Sequence, residues 1–300
     1  MYLSHFGLTE LPFSLTPNTQ FYCALAPHNE AMDVLITALN MGEGFIKVTG
    51  EVGTGKTLLC RKLLNSFDDS TIVAYIANSY LSPDELRYAI ANELQIDISS
   101  DLDQQSLSQK IQDQLLALNH QGKRVVLIID EAQCLSWDSL EAVRLFTNLE
   151  TETRKLIQVV LFGQPELDSR LANQKVRQLR QRISFSYTLR PMTNAEVAYY
   201  IRHRLEVAGV EQPKELFSNK VCLLIAKASR GIPRLVNLLS HKVLIQGYGD
   251  GIQKAKEAYV YSAAQDTEDC RLSRSRIWPM YLALLLVIGT ATWLIVKEQL

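Results

Sequence analysis

The sequence predicts a parallel α/β sheet followed by a smaller all-helical domain, and three observations predict it. Short apolar runs rich in β-branched and aromatic residues recur at 45–49, 71–77, 125–129, 156–162 and 183–189, most of them separated by amphipathic stretches of helical length. That alternation is the pattern of strands joined by helical crossovers. Beyond Pro191 the strand pattern stops and only helical periodicity continues. Between the first apolar run and the first crossover helix lies a glycine-rich join with three glycines, Gly50, Gly53 and Gly55.

Taken in order, residues 1–44 read as a lead-in. Pro12, Pro17 and Pro27 break its periodicity before an apolar-periodic helix around 30–40, and the segment is expected to drape over the core domain. The α/β domain is expected over 45–190. Thr193 and Glu196 form a capping box opening a helix that runs to residue 207, and further helices are expected over 214–229, 233–246 and 252–265. These make a helical domain over 191–264, and the polar stretch 265–276 reads as a linker. No internal repeat or low-complexity tract appears.

The run 280–296 carries no charged residue, and with Ile277, Trp278 and Pro279 it reaches the roughly 20 residues that cross a bilayer core. Trp278, Tyr281 and Trp293 lie near its ends, where aromatic belts form. Arg271, Arg274 and Arg276 precede it while Lys297 alone follows, so the excess of positive charge places the N-terminal body in the cytoplasm. The expectation is one C-terminal transmembrane helix over 277–296 with a short tail, 297–300. A buried hairpin or core helix is the competing reading of the same run. No signal peptide is expected, because residues 1–10 hold no basic segment leading into a long apolar run.

Composition narrows the function. The apolar and charged fractions, 47% and 21%, are those of an ordinary globular chain of 300 residues. A formal net charge of -1 gives no electrostatic footprint for nucleic acid, so no nucleic-acid partner is expected. The five cysteines are scattered, with no CxxC pair and no histidine at zinc-ligand spacing, and read as thiols in a reducing compartment.

The glycine-rich join carries the chemistry. Gly50, Glu51, Val52, Gly53, Thr54, Gly55, Lys56 and Thr57 match GxxxxGK[ST] at every fixed position, between a predicted strand and a predicted helix. Glycines let successive backbone N–H groups turn toward phosphate oxygens, and the following helix aims its positive end at the same anion. Lys56 is expected to reach the β- and γ-phosphates and Thr57 to ligate Mg²⁺, with Leu58 closing the nucleotide-binding set. Residues 125–129 form an apolar strand ending in Asp130 and Glu131. Beside a complete phosphate loop, Asp130 is expected to hold Mg²⁺ and Glu131 to orient or deprotonate the attacking water. The expected ligands are ATP and Mg²⁺.

These two motifs, with a strand between them and a helical domain behind, resemble the AAA+ superfamily of P-loop NTPases. More narrowly, Phe6-Gly7-Leu8, Pro12-Phe13 and Thr16-Pro17, then the loop from Gly50 to Thr57, Asp130-Glu131-Ala132-Gln133, Gly163-Gln164-Pro165-Glu166-Leu167 and Gly231-Ile232-Pro233-Arg234 resemble the ExeA/GspA-type ATPases. Within that group the likeness is nearest to members serving mannose-sensitive haemagglutinin (MSHA) pilus biogenesis. The resemblance implies that the helical domain is a lid, that Gln164 is a sensor 1 residue and that Arg234 is a sensor 2 residue meeting the γ-phosphate. It also implies an arginine finger among Arg177, Arg180 and Arg182, with Arg182 preferred, acting in a neighbouring subunit. An ATPase of secretion or pilus assembly at the bacterial inner membrane follows, as a homo-oligomer or in a hetero-oligomer with other pilus or secretion proteins. Longer members carry a peptidoglycan-binding domain beyond the membrane span; this sequence stops at Leu300, and direct peptidoglycan binding is not expected. An AAA+ ATPase of DNA transposition or replication, and an ATP-binding scaffold with little turnover, are the alternatives.

Overall fold

The computed structural model describes residues 2–16, 18–98, 103–152, 154–270 and 272. Strands β1 (Phe45–Gly50), β2 (Thr71–Ile76), β3 (Arg124–Ile129), β4 (Gln158–Gly163) and β5 (Phe185–Leu189) form one sheet in the order β2-β3-β4-β1-β5. Every pairing is parallel. Register aligns Thr49 with Gly163 and Thr188, and Ile129 with Leu161, so the carboxyl ends of β1, β3 and β4 come together at one edge of the sheet. Ligands of open α/β sheets bind in that crevice.

Side chains alternate strictly across this sheet. In β3, Val125, Leu127 and Ile129 face one layer while Val126 and Ile128 face the other; in β4, Val159 and Leu161 oppose Val160 and Phe162. Helices α1 (Ala26–Asn40) and α2 (Lys56–Leu64) cover one face through Leu35, Leu39, Leu59 and Leu63. The opposite face is covered by α3 (Pro83–Glu93), α4 (Gln104–His120), α5 (Trp137–Phe146) and α6 (Pro165–Leu171), with Ile90, Ile111, Val143 and Leu167 fully buried. A sheet buried on both faces reads as continuous apolar strands, which is why β3 and β4 stand out in the sequence.

A third core belongs to the helices after β5: α7 (Asn194–Val207), α8 (Asn219–Ser229), α9 (Pro233–Gly249) and α10 (Glu257–Gln265). The capping box at Thr193 and Glu196 forms as its spacing predicts. Tyr2, Leu8, Phe13, Phe21, Cys23 and Leu25 join this same helical core. The lead-in therefore packs on the helical bundle rather than draping over the sheet, because its apolar side chains fill the space between α7, α8 and α9. Only from α1 onward does it cover β-strands.

Several expected boundaries differ; β4 starts at Gln158 and not at 156, and α1 at Ala26 and not near 30. The fifth strand starts at Phe185, since Arg182 and Ile183 still bond back to Leu179 and Arg180 at the end of a short helical turn. The expected helix 214–229 breaks at Phe217, whose extended backbone seats a fully buried ring before Ser218 caps α8. Helix α10 starts at Glu257 and not at 252, because Gly251, with φ +67°, turns the chain and Ile252 bonds to Gly247. The expected transmembrane helix at 277–296 lies outside the described residues. Among the described residues no helix is long and apolar enough to cross a membrane.

Candidate functional site

The loop from Gly50 to Gly55 joins β1 to α2 at the crevice. Lys56 is the first residue of α2 and only 5% exposed, its ammonium donating to the carbonyls of Gly50 at 2.7 Å and Glu51 at 3.0 Å. Burial pulls its pKa down, with Glu131, Asp130 and Glu51 opposing that shift. Within the loop, the Thr54 hydroxyl donates to the Glu51 carbonyl at 2.8 Å. From beneath, His28 on α1 braces the loop, with Nε2 3.0 Å from the Thr54 carbonyl. Burial holds the imidazole below its ordinary pKa, so its neutral form donates that bond.

Asp130 and Glu131 follow β3 across the crevice from Lys56. Asp130 is 3% exposed; burial raises its pKa against hydrogen bonds from the Glu131 amide at 2.9 Å and the Thr57 hydroxyl. The two residues expected to hold Mg²⁺ thus already place their oxygens side by side. Glu131 occupies the left-handed region at φ 51° and ψ 37°, uncommon for a side-chain-bearing residue. Its carbonyl accepts from the Ser79 hydroxyl at 2.6 Å, and its Oε2 accepts from the amides of Gln133 and, at 3.0 Å, Gln164. Gln133 in turn accepts from the Gln164 backbone at 3.0 Å. Burial alone would raise the Glu131 pKa, but the two amides and the Lys56 ammonium outweigh it and leave the carboxyl below its ordinary value.

Gln164 caps α6, and that helix is tied to β1 by Asp168, which accepts from the Lys47 ammonium and, at 3.0 Å, from the Thr49 hydroxyl. The phosphate loop, Glu131 and Gln164 are therefore fixed to one another through β1, β3 and β4.

The helical bundle closes the other side. The Arg234 amide, in the first turn of α9, donates to the Gly53 carbonyl at 3.1 Å. Gly53 has φ +80°, and a Cβ there would lie 2.5 Å from Arg234 Cβ, so only glycine lets α9 approach so closely. Gly231 plays the same part for the connection to β5: at φ +74°, a Cβ would sit 2.0 Å from the Met192 carbonyl oxygen. Between loop and bundle lies a cleft of about 350 Å³ lined by Gly53, Gly55, Lys56, Thr57, Leu58, Glu131, Gln164 and Arg234, together with Ser14, Tyr200, Arg204 and Asn237.

The structure thus brings together all the predicted residues on the loop, the β3 end, Gln164 and Arg234. It sets Arg182 apart: its guanidinium donates to the Thr147 hydroxyl at 3.1 Å, and it does not line the cleft. Sequence reasoning missed Gln133, His28, Asp168, Arg204 and Asn237. Gln133 carried a signal, a polar residue two positions past Glu131; the other four sit in ordinary helical patterns with nothing local to mark them.

The donor set fits a magnesium-bound polyphosphate: a cradle that a Cβ at Gly53 would spoil, a buried ammonium at its floor, and a hydroxyl beside a carboxylate.

Comparison with known proteins agrees with this reading of the fold. Residues 39–171 match the AAA domain family. General secretion pathway protein A of Aeromonas hydrophila is 42% identical over 271 residues, covering 90% of this chain and 49% of that protein. The chain thus spans about half the length of that relative. Among solved structures, Cdc6p of Pyrobaculum aerophilum superposes with a TM-score of 0.63 at 19% identity, covering 84% of this chain and 71% of that one. The ORC2 protein of Aeropyrum pernix gives 0.59 at 16% identity, covering 86% and 73%. By sequence the chain is a relative of General secretion pathway protein A, with an AAA domain over residues 39–171 on a P-loop NTPase fold.

Proposed function

We propose that this chain binds Mg-ATP in the cleft and hydrolyses it, and that it works at the bacterial inner membrane, anchored by residues 277–296 with its ATPase body in the cytoplasm. The cycle serves assembly of a type II secretion apparatus or of an MSHA-like type IV pilus, in a homo-oligomer or with other proteins of that apparatus. Support for the secretion role is the 42% identity to General secretion pathway protein A. Support for the anchor is the uncharged run and the arginines before it.

The observation that carries the hydrolytic reading is the facing pair of motifs: Lys56 buried at the floor of a complete GxxxxGKT loop, with Asp130 and Glu131 opposite. ATP with its magnesium ion supplies an activated terminal phosphate bond and the charge that draws in these side chains. Lys56 and the loop amides neutralise phosphate oxygens; Thr57 and Asp130 hold the ion. Glu131, kept ionised by its two amide donors, is the base that orients water and accepts its proton. Arg234 reaches the same cleft from the bundle, so the angle between sheet and bundle responds to what the cleft holds. An arginine among Arg177, Arg180 and Arg182 serves the neighbouring subunit's cleft.

The test is calorimetric titration with Mg-ATP and steady-state phosphate release for the wild type and Lys56→Ala. Binding and turnover should both be lost in the variant. Equal affinity and turnover would sink the reading.

A further inference from the structure

Two side chains in the cleft wall lie outside the phosphate loop and the motifs that face it. Arg204 on α7 and Asn237 on α9 are each only 6% exposed, and both line the cleft with Gly53, Lys56 and Arg234. Each keeps one polar atom buried and without a partner: Nη2 of Arg204 and Oδ1 of Asn237. The rest of each side chain is committed. Arg204 Nε donates to the Pro12 carbonyl and Nη1 to the Tyr200 hydroxyl at 2.8 Å, while the guanidinium lies 4.7 Å from the centre of the Phe21 ring. Asn237 Nδ2 donates to the Ser14 carbonyl at 3.5 Å. Because that carbonyl can only accept, it turns the amide nitrogen toward itself and leaves the oxygen as the unused end.

What remains is one donor and one acceptor that make no hydrogen bond to each other. Buried polar groups without partners are rare because each forfeits its bonds to water. Two of opposite kind in one wall match a ligand edge that carries an acceptor beside a donor.

We propose that Arg204 and Asn237 read the base of the bound nucleotide. Asn237 Oδ1 accepts from an exocyclic amine and Arg204 Nη2 donates to the unprotonated ring nitrogen next to it. Adenine carries that edge on both sides of its amine. Guanine puts a carbonyl oxygen at the same place, so its lone pairs would face those of Asn237. The partners of the two residues, Pro12 and Ser14, belong to the lead-in, so base reading ties the lead-in to α7 and α9. This inference rests on the nucleotide reading of the cleft and adds the group that selects among nucleotides.

The full chain is titrated calorimetrically with Mg-ATP, Mg-GTP, the magnesium complex of purine riboside triphosphate, which lacks the amine, and magnesium tripolyphosphate. Wild type should prefer ATP over both the amine-less analogue and GTP by about tenfold or more, the worth of a buried hydrogen bond. Asn237→Ala should bring ATP and the amine-less analogue to equal affinity. Since the first comparison varies the ligand, it does not depend on any variant folding. Equal wild-type affinity for ATP and the amine-less analogue, with tripolyphosphate still bound, overturns base reading and leaves the phosphate site standing. Failure of all four ligands to bind overturns the nucleotide reading, and this inference with it.

Discussion

Glu131 sits in a conformation costing on the order of 1–3 kcal/mol for a residue with a side chain, which persists only where neighbours enforce it. Ser79 fixes its carbonyl, and Gln133 and Gln164 fix its carboxylate. Those amides have an electrostatic consequence besides the positional one. Burial would push the carboxyl up, but the amides and Lys56 hold it below its ordinary value, so the base stays ionised well into the acid range. Removing one donor reverses part of that. In Gln133→Ala the Glu131 pKa should rise, so protonation starts at higher pH and the acid limb of the kcat profile moves upward, with kcat at neutral pH reduced by less than about tenfold because Gln164 still positions the group. The check is a pH–rate profile of both proteins; an unmoved acid limb would remove Gln133 from the control of Glu131. At this scale the sequence was legible wherever chemistry imposes spacing. Gly53, Lys56, Asp130 and Glu131 announce themselves through motifs, whereas His28, Arg204 and Asn237 reach the cleft by tertiary packing that no local pattern records.

Among the elements, the passage from β5 to α7 joins sheet and bundle and is held by charge as well as by backbone. Glu196 closes the capping box on the Thr193 amide and also accepts both terminal nitrogens of Arg190, at 2.8 and 2.9 Å. The Arg190 hydrogen bonds chiefly, with those of Thr193, hold its carboxyl down to about 2 from an ordinary 4.5. A depressed carboxylate stabilises the fold fully above its unfolded pKa and loses that contribution as pH falls through the folded value. Glu196→Gln should therefore cost about 1 kcal/mol at neutral pH, allowing for solvent screening of a pair whose arginine is 43% exposed. The difference between variant and wild type should shrink between pH 4.5 and about 2. Urea unfolding at pH 7, 4 and 3 measures it, and a gap that is constant with pH would show that packing, not charge, holds this connection. The capping box itself was readable from Thr-x-x-Glu, as were β3 and β4 from their apolar runs. Strand β5 was harder because its intermediate and exposed side chains alternate, and the break at Phe217 was hidden because an aromatic fits a helical pattern as well as an extended corner.

For the molecule as a whole, the fold class was legible because strand and helix periodicities are set by burial on each face, while the path of the lead-in was not. Nothing in the order of Phe13, Phe21 and Cys23 says which of two domains their side chains will enter. The same holds where the bundle ends. Residues from 265 read as a polar linker, yet the Lys242 ammonium donates to the Asp266 carbonyl at 2.6 Å and the Thr267 hydroxyl at 2.9 Å. The Thr267 hydroxyl donates to the Ala263 carbonyl at 2.8 Å, Cys270 is 6% exposed, and Leu272 packs against the helical core. This tail packs against α9 and ends α10, so the position of a cut decides whether the body survives without its proposed anchor. A chain ending at Leu272 should be released from membranes and keep both its fold and its affinity for Mg-ATP, because every described apolar contact remains. A chain ending at Asp266 loses the Thr267 and Cys270 contacts and should unfold about 1–3 kcal/mol more easily, a drop on the order of 5 °C in Tm for a body of this size. Fractionation, thermal unfolding and nucleotide titration of the two truncations distinguish these outcomes. Equal stability of the two would show that the tail rests on the bundle without supporting it. A Leu272 truncation still found in the membrane fraction would place the membrane attachment elsewhere than residues 277–296.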